Sequence, residues 1–74
     1  MGTQNELVQR LEDGYNKFSK GQKKLADFIR EDYDKAAFMT AAKMGEEVGV
    51  SESTVVRFAT ALGYEGYPQF QRAL

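Results

Sequence analysis

The chain contains no cysteine and no histidine. Without cysteine there is no disulfide framework. With both missing, the usual zinc sites and the commonest catalytic base are also out of reach. A reducing, cytoplasmic setting fits this composition. Proline occurs once, at Pro68 near the end, and repeats, low-complexity stretches and linkers are lacking, so residues 1–74 read as one compact domain. No apolar run approaches the length of a membrane span, and Met1-Gly2-Thr3-Gln4-Asn5-Glu6 lacks the basic-then-apolar order of a secretory signal. The expectation is a soluble cytoplasmic protein with no membrane association. Its 74 residues suffice for a small core, burying roughly 60% of the unfolded chain's surface.

An excess of positive charge is also lacking, with ten lysines and arginines against eleven acids and a net charge of −1. That balance argues against nucleic acid, because binding to phosphate is carried largely by cationic side chains. Position qualifies the argument. Lys17, Lys20, Lys23 and Lys24 follow one another without an intervening acid, and Asp27, Glu31, Asp32 and Asp34 cluster afterwards. The stretch is consistent with a basic face on an acidic molecule, or with a plain solvated helix surface.

What is present is helical. Strand signals are poor, and capping residues precede apolar stripes at three- and four-residue spacing, which predicts an all-α fold of about five short helices. Thr3-Gln4-Asn5-Glu6 has the form of a capping box opening a first helix over 4–13, with Leu7, Val8 and Leu11 on one face and Gly14 as a left-handed stop. Ser19-Lys20-Gly21-Gln22 repeats that logic for a helix over 20–32, whose stripe is Leu25, Phe28, Ile29 and Tyr33. Thr40 caps a third helix from Ala41 to Val48, with Ala41, Met44, Gly45 and Val48 inward. Ser51 caps a fourth, with Val55, Phe58, Ala59 and Leu62 inward and Gly63 as its stop. Pro68 suits the first position of a final helix, where its missing amide hydrogen would have had no partner, and Phe70 and Leu74 pack it.

The third and fourth helices meet the demands of a helix-turn-helix, two short helices held at a steep angle by a three- or four-residue turn. Gly49 permits the reversal, Val50 plugs the corner and Ser51 restarts the helix. Met44, Val48, Val50, Val55 and Phe58 staple the pair from one side. Ser51, Glu52, Ser53, Thr54, Val56, Arg57 and Thr60 are then left on the exposed sides of the fourth helix. Short hydroxyls permit close approach to DNA, Arg57 suits a paired contact to guanine, Glu52 can accept from cytosine and Val56 can touch a thymine methyl. Thr40 and Lys43 suit phosphate anchoring at the start of the third helix. Each residue also has a plainer role. Ser51 is a helix cap, Glu52 favours the positive end of the helix dipole, and an exposed arginine on a helix is common. Tyr64 and Tyr67 read as packing or rim residues, and the Met and Phe positions as core.

Three segments carry a family resemblance: Met39-Thr40-Ala41-Ala42, then Gly49-Val50-Ser51-Glu52-Ser53-Thr54-Val55-Val56-Arg57-Phe58, then Ala61-Leu62-Gly63-Tyr64-Glu65-Gly66-Tyr67. With Phe18-Ser19-Lys20-Gly21-Gln22 and Ala26-Asp27-Phe28-Ile29, they resemble the amino-terminal domain of the RpiR family of bacterial transcription regulators. The resemblance covers nearly the whole chain. It implies a helical domain related to homeodomain-like folds, and a sugar-isomerase-type domain sensing a sugar phosphate after Leu74, so the chain reads as an excised domain of a larger regulator. One departure is Gly45, where a small alanine is usual. Glycine inside a helix costs about 1 kcal/mol relative to alanine, which predicts a soft third helix.

The leading expectation is therefore a DNA-binding domain acting as a homodimer, with paired reading helices on a palindromic double-stranded operator. A competing reading is a protein-association module that uses Leu7, Val8 and Leu11 or the last helix; periodicity does not separate a core stripe from a dimer stripe. Catalysis is the poorest candidate. The carboxylates follow helix-surface spacing, with no phosphate loop, activated nucleophile or metal cluster beside them, and no cofactor is expected.

Overall fold

Three hydroxyl side chains divide the chain into helices. Ser19 accepts from the Gln22 amide at 3.3 Å while Gln22 Oε1 accepts from the Ser19 amide at 3.0 Å. Thr40 and Ser51 cap in the same way, accepting from Lys43 N and Thr54 N at 3.1 Å each. Such bonds satisfy amides that have no partner within the helix. The computed structural model describes residues 3–74, with side chains from Leu7 onward; the expected capping box at Thr3-Gln4-Asn5-Glu6 lies outside the described side chains.

The elements in order are α1 (Thr3–Gly14), a 3-10 turn (Tyr15–Lys17), α2 (Lys20–Glu31), α3 (Tyr33–Ala37), α4 (Ala41–Val48), α5 (Glu52–Ala61) and α6 (Tyr67–Ala73). No strand occurs among the described residues. The fold is the expected all-α bundle, with one short helix more than the sequence pattern shows. Asp32 leaves helical geometry at φ −126° and ψ 54°, so the chain bends there and Tyr33 begins α3 instead of extending the α2 stripe. Pro68 occupies the second position of α6, after Tyr67, where a missing amide hydrogen is equally harmless.

α1 ends at Gly14, as expected, but the left-handed reason for the stop is corrected. It is right-handed, at φ −94° and ψ −3°, so left-handed freedom is not its use. A methyl on Gly14 would lie 3.0 Å from the Phe18 ring, a tight contact that glycine avoids.

Phe58 of α5 is the centre of the core. Its ring meets Phe18 edge-on at 5.1 Å and Phe70 of α6 at 6.3 Å, a favoured aromatic geometry. Around it α5 packs against α4, α2 and α6, while α1 reaches α6. Leu7 and Leu11 are completely buried, so the α1 stripe belongs to the domain's own core; Val8 is half-buried. Val48, expected to face inward, is also half-buried at the end of α4.

Candidate nucleic-acid interface

α4 and α5 form the most extensive helix pair in the molecule, and the corner between them is built from backbone bonds. Gly49 is left-handed at φ 92°, a conformation that costs other residues roughly 1–2 kcal/mol. Its amide and that of Val50 both donate to the Gly45 carbonyl, at 2.7 and 2.9 Å, the longer-range bond being that of a Schellman cap. Val50 is half-buried against the core, as a corner plug must be. Met44, Val55 and Phe58 are fully buried beneath the pair.

Gly45 has a packing role at this corner beside its helix-propensity cost. A Cβ at Gly45 would lie 2.7 Å from the Val50 carbonyl oxygen and 3.3 Å from the Ser51 carbonyl carbon. Both are backbone atoms, which cannot rotate aside. In this backbone the helix-propensity cost is therefore set against a close approach that a Cβ would crowd.

With Val55, Phe58 and Ala59 buried, the opposite side of α5 is turned outward. Ser51, Glu52, Ser53, Val56, Arg57 and Thr60 are all exposed, and Glu52, Ser53, Val56 and Arg57 line a shallow concavity. Arg57 has no ion-pair partner among the described residues. Thr60 donates its hydroxyl proton to the Arg57 carbonyl at 2.8 Å, which leaves its lone pairs outward. Thr54 differs from expectation. It is half-buried, its hydroxyl is 2.9 Å from Ser51 Oγ, and its methyl faces Gly21 of α2. Thr54 therefore contributes to the corner more than to the open flank.

Thr40 and Lys43 are exposed at the start of α4. The Lys43 ammonium is 3.5 Å from Glu46, one turn along an exposed surface. Pairs of this kind hold each other weakly, so the lysine is free to exchange partners.

Phe38 corrects the reading of every Phe position as core. At the α3–α4 corner it is 88% exposed, although periodicity around it gives no sign that an apolar ring would face solvent. Among the described residues no group of acidic side chains is placed to hold a metal ion, and no helix is long and apolar enough to cross a membrane.

A family model described as the helix-turn-helix domain of the rpiR family matches residues 5–74. The uncharacterized HTH-type transcriptional regulator YfhH of Escherichia coli (strain K12) is 38% identical over 65 residues, covering 88% of this chain and 23% of the relative. A second HTH-type transcriptional regulator, from Clostridium perfringens (strain 13 / Type A), is 31% identical over 68 residues, covering 92% of this chain and 24% of the relative. The chain thus spans about a quarter of the length of these two proteins.

Proposed function

This chain belongs to the rpiR family of helix-turn-helix domains, and from that membership we propose that it is the sequence-specific DNA-reading domain of a bacterial transcriptional regulator. The observation that carries the reading is the outward flank of α5. Hydroxyl, carboxylate, methyl and guanidinium groups stand together there, on a helix clamped from behind by Val55 and Phe58. Such a flank fits a major groove, with Arg57 paired to guanine, Glu52 accepting from cytosine, Val56 against a thymine methyl and Ser53 and Thr60 on bases or phosphates. Ser51 and Thr54 hold the first turn, with Ser51 also near the backbone. Thr40 and Lys43 anchor phosphates.

The work of the domain is binding, without catalysis, in the cytoplasm. The family resemblance and the greater length of the relatives support a wider scheme. In that scheme the regulator is a homodimer on a palindromic operator, a carboxy-terminal domain senses a sugar phosphate, and the genes controlled are those of sugar metabolism. Joining two reading heads raises affinity through effective concentration, so the isolated domain binds weakly.

Titration of duplex DNA at several salt concentrations tests the reading, because phosphate neutralisation releases counterions and tilts log K against log salt. A tilted line, together with a preferred sequence recovered from a random pool, is the expected outcome. A flat line and no enrichment would remove the proposal.

One observation favours a second reading, association between domains. Leu7 and Leu11 are consumed by the core, but Phe38 is open. Sedimentation of the chain and of Phe38→Ser separates the two readings: concentration-dependent association that Phe38→Ser abolishes, without any DNA binding, would favour the second.

A further inference from the structure

The charges at the start of α2 run against its helix dipole. The amino-terminal end of a helix carries partial positive charge, so cationic side chains are disfavoured there and acids favoured. α2 has no acid in its first turn. It places Lys20, Lys23 and Lys24 in its first five residues, while its last turn carries both Arg30 and Glu31. Helix electrostatics do not account for three lysines at that end, whereas an external anion there would be favoured.

Those lysines divide between two sides. Lys20 and Lys24 are four residues apart and so share a face. Both are exposed, with no ion-pair partner among the described residues. Lys23 is half-buried on another side, with its ammonium 5.4 Å from the centre of the Tyr15 ring.

Gly21, next to Lys20, ties this face to the reading helix. A methyl on Gly21 would lie 3.3 Å from Val50 Cγ1 and 3.7 Å from Thr54 Cγ2, so the first turn of α2 touches the corner and the first turn of α5. Lys24 then borders a shallow groove shared with Asp27, Phe28, Glu31, Glu47 and Val48. Of these acids, Glu47 is already paired with Lys35 at 3.3 Å.

We infer that Lys20 and Lys24 form a second phosphate-binding edge, which carries the DNA backbone on the side of α5 away from Thr40 and Lys43. The two edges lie at opposite ends of α4. Its eight residues span about 12 Å at 1.5 Å per residue, which holds the two edges apart. In this assignment one edge meets each wall of the groove that α5 enters. This rests on the DNA-reading role proposed above and adds residues outside the helix-turn-helix to it.

The test compares the chain with Lys20→Gln, Lys24→Gln, their double variant and Lys23→Gln. A fluorescent mixed-sequence duplex is the probe, across a salt series. Each of the first two substitutions is expected to flatten the slope of log K against log salt by about 0.9, the double variant by about twice that, and Lys23→Gln not at all. The sequence preference recovered from a random pool stays the same, since phosphate contacts carry no base information. Far-UV circular dichroism and urea midpoints confirm folding, which loss of cations from the positive end of α2 is expected to preserve. If the chain binds with a steep slope and the double variant matches it, this inference is overturned while the reading by α5 stands. If the unaltered chain binds no DNA, both fall together.

Discussion

The hydroxyl of Tyr67 on α6 donates to the carbonyl of Met39 at 2.6 Å, a buried bond between residues 28 apart in the chain. Gln71 Nε2 donates to the same oxygen at 2.9 Å, and the Tyr33 hydroxyl donates to the Ala73 carbonyl at 3.1 Å. Met39 immediately precedes Thr40, the cap of α4. The last helix thus holds the place from which the first helix of the reading pair starts.

Tyr67→Phe is expected to lower the unfolding free energy by about 0.5–1.5 kcal/mol, the net worth of a typical hydrogen bond. The loss stays in this range because Gln71 still satisfies the Met39 oxygen. Urea denaturation measures it; an unchanged midpoint would show that the bond contributes nothing net.

Alkaline pH acts on the same contact. Burial raises the pKa of Tyr67 above its ordinary value of 10.0, and burial, then the neighbouring Tyr64, raises that of Tyr33. Above about pH 10 the unfolded chain releases these protons while the native chain retains them, so stability is complete below that pH and falls as pH rises through the native values. Urea midpoints measured from about pH 9 to pH 11 are expected to decline, and to decline less in Tyr67→Phe.

Gly45→Ala sets helix propensity against packing. Alanine is worth about 1 kcal/mol more in a helix interior, but forcing a group into a filled site costs typically about 1–3 kcal/mol. The clash is with the Val50 carbonyl at 2.7 Å, so packing prevails and the variant unfolds at lower urea. A higher midpoint would contradict the role assigned to this glycine.

Ser51 allows capping and DNA proximity to be separated. Ser51→Ala removes the acceptor for the Thr54 amide and is expected to cost about 1 kcal/mol of stability. Ser51→Asp keeps an acceptor, and so keeps stability, while placing a negative charge beside phosphate. Weaker DNA binding at an unchanged urea midpoint is the expected result for the aspartate.

Arg57→Ala removes an exposed side chain without a partner among the described residues, so stability should change by less than about 0.5 kcal/mol. Binding to a preferred site should weaken by about 1–3 kcal/mol, with relaxed preference at one base pair. Equal affinity of the two proteins for the selected sequence would exclude Arg57 from base reading.

The starts of α2, α4 and α5 and the ends of α4 and α5 were set by the sequence alone, whereas the break at Asp32 that begins α3 was not. Ser19, Thr40 and Ser51 cap, and Gly49 and Gly63 turn left-handed at φ 92° and 100°. Each of these signals acts over three or four residues and needs no distant partner. The outward flank of α5 was legible for the same reason, since the positions of Val55, Phe58 and Ala59 define the face opposite. Only the tertiary structure decided that Leu7 and Leu11 enter the core, that a Cβ at Gly45 would crowd the corner, that Thr54 turns towards Gly21 and that Tyr67 grips Met39. These outcomes depend on which helix faces which, and residues far apart in the chain meet only after packing, so no local periodicity records them.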